Sequence, residues 1–355
     1  MGARRTRAFI ARLSLQARRR HRALDDQARA QLHPVVVAAL AQAGATPLIL
    51  DDFSNSSRGV IGRLETLTGG AVAFVEADIR DRVALRAAFA KYPISAVVHC
   101  AALKSVAESA ERPLAYWDVN VGGALSLAEV MGEAGVATLV FSSSATVYGQ
   151  PDRLPVDEDA PLRPQSVYGH TKRVVEEFLV DLARANANWR IAILRYFNPA
   201  GAHPSALIGE APRGRPNNLV PFLSRTAAGE FAQVEVFGTD WDTPDGTGVR
   251  DYLHVVDLAE GHVMALAHLA RQPGATTLNL GLGRGYSVLE VIDAFERTCG
   301  RRLTRALVGR REGDIAHVYA DPTRAQALLG WRATRDLEVI CVDAWRWQQT
   351  GGRFD

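Results

Sequence analysis

"PVVVAALAQAGATPLILDD", residues 34–52, decides the fold. Apolar side chains recur at helical spacing as far as Leu40, Gly44 supplies a stop, and "TPLIL" is a short, wholly apolar run closed by two aspartates. A strand without polar alternation is buried on both faces, which is how strands of parallel sheets read. The pattern recurs in "AVAFVEADI", "SAVVHCAA", "ATLVFSSSATVYG" and "RIAILRYFN", with helical segments near 34–44, 81–91, 112–134 and 168–187 around and between them. Repeated strand, crossover and strand units predict an α/β fold built on a doubly wound parallel sheet.

From about residue 198 the texture changes to loops rich in Gly, Pro, Asn and Asp, such as "NPAGAHPSALIGEAPRGRPNNL" and "GTDWDTPDGTGVRDY". Helices are expected at 217–229, 254–271, 287–299, 322–329 and 337–349, with short strands at "VEVFG" and "TTLNLGL". The chain divides on this reading into an atypical segment 1–33, a Rossmann-like domain 34–198 and a smaller part 199–355.

Composition narrows the class. No apolar run approaches the roughly 18 residues of a membrane span, so no membrane role is expected. The three cysteines, Cys100, Cys299 and Cys341, lie far apart without CxxC spacing. That argues against a disulfide framework and a zinc site and favours a reducing cytoplasm. Residues 1–33 carry nine Arg and two Asp, against a net charge of +2 for the whole chain. An Arg-rich start reads as a solvated extension sooner than as a targeting arm or a nucleic-acid-binding tail, and no nucleic-acid partner is expected.

"SVYGHTK" sets Tyr168 and Lys172 four apart at a helix start, on one face. A lysine ammonium beside a phenol favours the phenolate, which suits proton transfer at an alcohol. Such a pair also arises often by chance. The serine run of "LVFSSSATVYG" adds Ser144, 24 residues before the tyrosine, at a strand's carboxyl end. Ser144, Tyr168 and Lys172 in this order resemble the catalytic triad of the extended short-chain dehydrogenase/reductase superfamily.

"FSSSATVYG", "LRYFNPAGAHPS", "PNNLVPF", "DGTGVRDYLHVVDLAEGHV" and "RREGD" narrow the resemblance to the UDP-glucose 4-epimerase family, from about residue 34 to the C-terminus. The resemblance implies tightly held NAD, a UDP-hexose substrate and a homodimer. It also implies reversible C4 epimerisation of UDP-glucose and UDP-galactose through a 4-keto intermediate. Tyr168 is then the acid/base, Ser144 its hydrogen-bonding helper, and Lys172 the ligand of the nicotinamide ribose. Asp51 takes the adenosine ribose hydroxyls, which favours NAD over NADP, with Asp52, Asn55 and Ser56 flanking it. Asp78 and Ile79 meet the adenine, while Cys100, Ala101, Leu103, Lys104, Asn120 and Phe197 line the path to the nicotinamide. Asn198, Asn218, Val236, Phe237, Arg250, Arg311 and Asp314 match positions that hold the UDP moiety. For the two arginines the reason is the guanidinium fork, which suits a diphosphate. His254, Cys299 and Cys341 read as helix packing.

Two departures stand out. At Val318 some relatives carry a tyrosine that walls the sugar pocket, so N-acetylated UDP-hexosamines are expected to fit as well. The second departure concerns the phosphate-binding loop. Counted back without gaps, the family's three glycines fall at Gln27, Ala30 and His33, and the strand before them at residues 22–26, Arg-Ala-Leu-Asp-Asp. The glycine loop is missing and the first strand reads as degraded, with "RAFIARLSL", residues 7–15, the only substitute. Three accounts stand: a shifted frame or start ahead of an intact family sequence, a homologue that binds NAD poorly, and a targeting arm. The arm fits worst, because it would precede the loop and not replace it. Two other functions compete, a non-catalytic homologue that keeps UDP-sugar binding and a nucleotide-sugar 4,6-dehydratase. The dehydratase wants acidic residues where this chain has "SSAT".

Overall fold

The computed structural model describes residues 8–11, 32–54, 56–212, 214–311 and 313–354. Its centre is a seven-stranded parallel sheet. The strands are β1 (Ala8–Ala11), β2 (Thr46–Asp51), β3 (Ala73–Glu76), β4 (Ile94–His99), β5 (Thr138–Ser144), β6 (Arg190–Tyr196) and β7 (Gly274–Leu280). Their spatial order is β7-β6-β5-β4-β1-β2-β3, and every neighbouring pair is parallel. The strand order reverses at β1 and β4, so a crevice opens beyond their carboxyl ends, where doubly wound folds take their ligands.

The wholly apolar strands do what their composition demands. In β2, Leu48 and Leu50 join one core while Ile49 joins the other. In β5 and β6, Leu139, Phe141, Ile191 and Ile193 face one side and Val140, Ala192 and Leu194 the other. One face is covered by α1 (Leu32–Gln42), α2 (Gly59–Thr68) and α6 (Val255–Leu269). The other is covered by α3 (Arg82–Lys91), α4 (Gly123–Glu133) and α5 (Val167–Ala185). A π-helical turn, Trp117–Gly122, leads into α4.

The central strand differs from its sequence expectation. Position one of the sheet is taken by Ala8–Ala11, inside "RAFIARLSL", with Ala11 opposite Ile49 and Val98. The first strand is therefore present, upstream of the place that an ungapped count assigns to it. Residues 22–26, Gln27 and Ala30 lie outside the described residues. His33 is buried in the first turn of α1.

The C-terminal half does not fold apart from the first. The run "TTLNLGL" lies in β7, the sheet's edge strand beside β6, and α6 packs under the sheet against α1. What remains forms a smaller cluster around Val220, Leu223, Val291, Ile292, Phe295 and Ile340. Four short strand pairings stitch it: Asn198–Ala200 to Tyr252–His254, Val234–Phe237 to Arg305–Val308, and Val249–Arg250 to both Tyr286–Ser287 and His317–Val318. Helix α2 had no counterpart in the sequence reading, since "GVIGRLETLT" carries two glycines and a short apolar stripe. His254 caps α6 through Val256 N–H at 3.1 Å and meets Asp343 at 3.2 Å, and Cys341 is fully buried. Cys341 packs in the C-terminal core and Cys299 is half-buried at the end of Val288–Cys299, whereas His254 serves as a helix cap with a carboxylate partner.

Candidate active site

The serines Ser142, Ser143 and Ser144 end β5 at the sheet's carboxyl edge. Ser166 caps α5, its hydroxyl accepting from the Gly169 N–H at 3.1 Å. That cap starts the helix where Tyr168 and Lys172 fall on one face, toward the serines. Gly169 permits the approach, because a Cβ there would stand 2.9 Å from the Thr146 carbonyl oxygen. Ser144 hydrogen-bonds Tyr168, and its Oγ accepts from the Thr146 N–H at 3.2 Å and the Thr146 hydroxyl at 3.0 Å. Lys172 Nζ donates to the Ser142 carbonyl at 2.9 Å, 4.8 Å from the Phe141 ring centroid and 6.0 Å from that of Tyr168. All three side chains of the expected triad are buried.

Burial governs their protonation. It pushes the Tyr168 phenol up to about 12, with the Ser144 hydrogen bond pulling the other way. It pushes the Lys172 ammonium down to about 8, against the attraction of Cys100 and Glu176. Lys172 spends one hydrogen bond on the Ser142 carbonyl.

The residues expected around a cofactor gather along the same edge. Asp51 ends β2, fully buried, and its Oδ1 accepts from the Phe53 N–H at 2.6 Å and the Ser56 hydroxyl at 3.3 Å. Asp52 accepts from the Ser54 N–H at 3.3 Å and hydroxyl at 3.0 Å, and Asn55 lies outside the described residues. Asp78 is engaged by Arg80 at 2.7 Å. Ile79 lies directly under α4, where a Cβ on Gly123 would stand 2.3 Å from its Cγ2. Beyond β4 come Cys100, Ala101 and Leu103, and Ser142 donates to the Cys100 sulfur at 3.2 Å. Burial holds that thiol up at about 11, so it is no nucleophile.

Asn120, expected along the cofactor path, also ties that path's loop in place. Its Oδ1 accepts from the Leu103 N–H at 2.8 Å, and its Nδ2 donates to the Leu103 carbonyl and the Thr171 hydroxyl, each at 3.0 Å. The amide clasps the loop after β4 to α5. Lys104, further along that loop, is half-exposed and lies 3.8 Å from Glu210, whose carboxylate also accepts from Asn218 Nδ2 at 2.8 Å. Glu210 thus joins a residue expected at the cofactor to one expected at the nucleotide, and the sequence reading missed it.

On the substrate side, strand alternation separates two neighbours. Val236 is wholly buried in the C-terminal core and contributes no surface, while half-buried Phe237 lies under Arg311, 4.5 Å from guanidinium carbon to ring centroid. Arg250 is largely buried, which lowers its pKa; Tyr252 and Asp314 act against that, and the charge of Arg311 adds to it. Arg311 pairs with Asp314 at 3.0 Å. Two guanidinium groups held near each other in partial burial repel unless an anion lies between them. Asp251, unremarked in the sequence reading, anchors this strand: its carboxylate accepts from the backbone N–H groups of Leu282, Gly283 and Ala320 at 2.8, 3.1 and 3.1 Å. Asn198 opens a short strand opposite Tyr252. Val318 pairs with Arg250 across the strands and packs with Phe197, Tyr148 and Val147.

The described residues fit a dinucleotide. A buried carboxylate ends the second strand of a sheet with Rossmann order, and Gly123 gives a close helix contact behind the switch-point crevice, while the place of the phosphate loop lies outside the described residues. With a Tyr, a Lys and a Ser converging at the edge of β5, fold and site define a nucleotide-dependent enzyme acting on an alcohol.

Comparison with known proteins gives the class its name. The model of the NAD dependent epimerase/dehydratase family matches residues 34–281. The UDP-glucose 4-epimerase of Bacillus subtilis is 50% identical over 311 residues, 88% of this chain and 92% of that protein. Among solved structures, that of the Stenotrophomonas maltophila UDP-glucose 4-epimerase with bound NAD and formylated UDP-arabinopyranose superposes with a TM-score of 0.91 at 46% identity, covering 98% of this chain and 99% of that one. The Bifidobacterium longum enzyme in complex with NAD+ and UDP gives 0.89 at 40% identity, covering 97% and 99%. The chain belongs to the NAD dependent epimerase/dehydratase family and, within it, to the UDP-glucose 4-epimerases.

Proposed function

We propose that the chain interconverts UDP-glucose and UDP-galactose at C4, with NAD held along the carboxyl edge of the sheet. The observation that carries this reading is the meeting of Ser144, Tyr168 and Lys172 beside the switch-point crevice. Half-identity to named epimerases over 88% of the chain supports it.

In this reading Asp51 takes the adenosine ribose hydroxyls, flanked by Asp52, Asn55 and Ser56. Asp78 and Ile79 meet the adenine. Cys100, Ala101, Leu103, Lys104 and Phe197 border the path to the nicotinamide, and Asn120 holds that loop in place. When bound, NAD accepts a hydride from sugar C4 and gives it back. Tyr168 holds or supplies the proton of the 4-hydroxyl, and Ser144 steadies the same oxygen through its hydroxyl. Lys172, a cation below about pH 8 and 6.0 Å from the Tyr168 ring, is the group at hand to stabilise the phenolate as it forms. Asn198, Asn218, Phe237, Arg250, Arg311 and Asp314 hold the UDP moiety, the two arginines by paired hydrogen bonds to its diphosphate.

The test uses purified chain and UDP-galactose. UDP-glucose should accumulate to a fixed equilibrium ratio from either epimer, and acid precipitation should release NAD from the protein. Absence of interconversion from both directions would sink the reading.

Epimerisation turns the ketose over between the two hydride transfers, so the sugar pocket must be roomy. We assign N-acetylated UDP-hexosamines to the same pocket because Val318 is small. In Val318→Tyr, turnover of UDP-N-acetylglucosamine should fall at least tenfold while UDP-glucose turnover stays within about threefold, the range one altered pocket contact supplies. If the parent chain turns over UDP-glucose but no UDP-N-acetylglucosamine, the assignment fails.

We also read the chain as a cytoplasmic homodimer. Its cysteines are free thiols among the described residues, and Val83 on α3, Leu125 on α4, and Leu114 and Trp117 just ahead of α4 leave apolar area that a second copy would cover.

A further inference from the structure

Beneath the triad lies a buried ion pair that the mechanism above does not use. Arg195 on β6 and Glu176 on α5 have side chains only 6% and 4% exposed. The contact is bidentate: Arg195 Nη2 lies 2.6 Å from Glu176 Oε2, and Nε lies 3.1 Å from each carboxylate oxygen. The second arm of the guanidinium donates to the Tyr148 hydroxyl at 3.1 Å and the Glu158 carbonyl at 3.0 Å. Tyr148 passes the chain on to Asn279 of β7 at 2.7 Å.

The position of this pair is what gives it consequence. The Ser143 hydroxyl donates to Glu176. Ser143 stands between Ser142, whose carbonyl receives Lys172, and Ser144, which hydrogen-bonds Tyr168. Glu176 follows Lys172 by one helical turn on the same face of α5. One carboxylate therefore fixes the middle of the serine run and supplies the negative charge next to Lys172.

We propose that Glu176 and Arg195 are positioning residues that hold the end of β5 and Lys172 in working register with Tyr168. A buried ion pair is weak evidence for stability, because desolvation offsets most of its attraction. Its worth here lies in geometry and in the charge state of Lys172. The titratable groups facing Lys172 are Cys100 after β4, Glu176 and Tyr168 on α5; Tyr196 at the end of β6 neighbours Cys100 and Tyr168. Burial pushes Cys100, Tyr168 and Tyr196 up, and Glu176 is the carboxylate among them, paired with Arg195. Removing the Glu176 charge lowers the pH at which Lys172 loses its proton, so activity that needs the ammonium is lost earlier as pH rises.

The chain has three lysines, Lys91, Lys104 and Lys172. Lysine-selective isotope labelling gives three side-chain signals, and Lys172→Met identifies the third. In Glu176→Gln, the Lys172 titration midpoint should drop below its parent value. The alkaline limb of the kcat profile should shift down with it, and kcat at pH 7 should fall about tenfold with KM within twofold, the low end for a lost supporting partner. A purely structural pair would lower the melting temperature and leave both midpoints in place. Glu176→Gln leaves Arg195 buried with less compensation, so Glu176→Met combined with Arg195→Met provides a charge-free pair of similar bulk. It should fold and show both displacements in the same direction, smaller than in Glu176→Gln because the Arg195 cation leaves together with the anion. A folded variant of either kind with parental Lys172 titration and parental kcat overturns the proposal. The kinetic arm rests on the epimerase reading, whereas the titration arm reads Lys172 whether or not the chain turns over UDP-galactose.

Discussion

Tyr168→Phe should lower kcat for UDP-galactose by about 10³-fold, within the range for loss of a general acid/base, and change KM less than threefold. The phenol hydroxyl is the only atom lost. The ring keeps its place in the core beside Val119, Leu127 and Val175, so the fold should survive intact. The effect is large because no other group replaces the proton path. Ser144 already shares its Oγ with Thr146, and Lys172 is turned to the Ser142 carbonyl. Stopped-time assays with parent and variant at pH 7 decide it. A variant retaining a tenth or more of parental kcat would assign the proton transfer to another residue.

Arg250→Ala should weaken UDP binding by about 10- to 100-fold, the equivalent of one or two charge-assisted hydrogen bonds to the diphosphate. The only hydrogen bonds the side chain makes among the described residues are to the Val249 and Ala316 carbonyls, at 2.9 and 3.4 Å. Its removal therefore strands no buried carboxylate. Isothermal titration with UDP and with uridine separates the two contributions: UDP affinity falls and uridine affinity holds. Equal losses for both ligands would show that Arg250 supports the pocket's shape and not its charge. Arg311, stacked on Phe237 and paired with Asp314, remains as the second guanidinium, which is why binding is weakened and not abolished.

Several site residues were legible in the chain itself for a physical reason. Parallel strands buried on both faces must be continuously apolar, so β2, β4, β5 and β6 announce themselves, and the residues just past their ends sit where a doubly wound fold opens. That logic finds Asp51, Cys100 and Ser144. Helical periodicity then sets Tyr168 beside Lys172. The same logic fails at β1, because four residues in an Arg-rich stretch carry too little pattern to be told from an extension, and an ungapped count points downstream of them. It also fails for β7: an edge strand followed by glycine-rich turns reads as part of whatever surrounds it in sequence.

Roles that depend on distance along the chain were beyond the sequence. That Asn120 bonds Leu103 and Thr171, and so ties the loop after β4 to α5, could not be read from its position in the chain. Val236 and Phe237 read alike until the strand's alternation buries one and turns the other to Arg311. The sequence alone determined the layered α/β architecture, the candidate reacting side chains and the family, because periodicity and motif spacing are local properties. Only the tertiary structure decided that Tyr168 and Lys172 are buried, that Lys172 bonds the Ser142 carbonyl one helical turn from Glu176, and that Arg195 stands behind Glu176. Those facts follow from desolvation and from contacts between residues 19 to 33 positions apart, which no local pattern encodes.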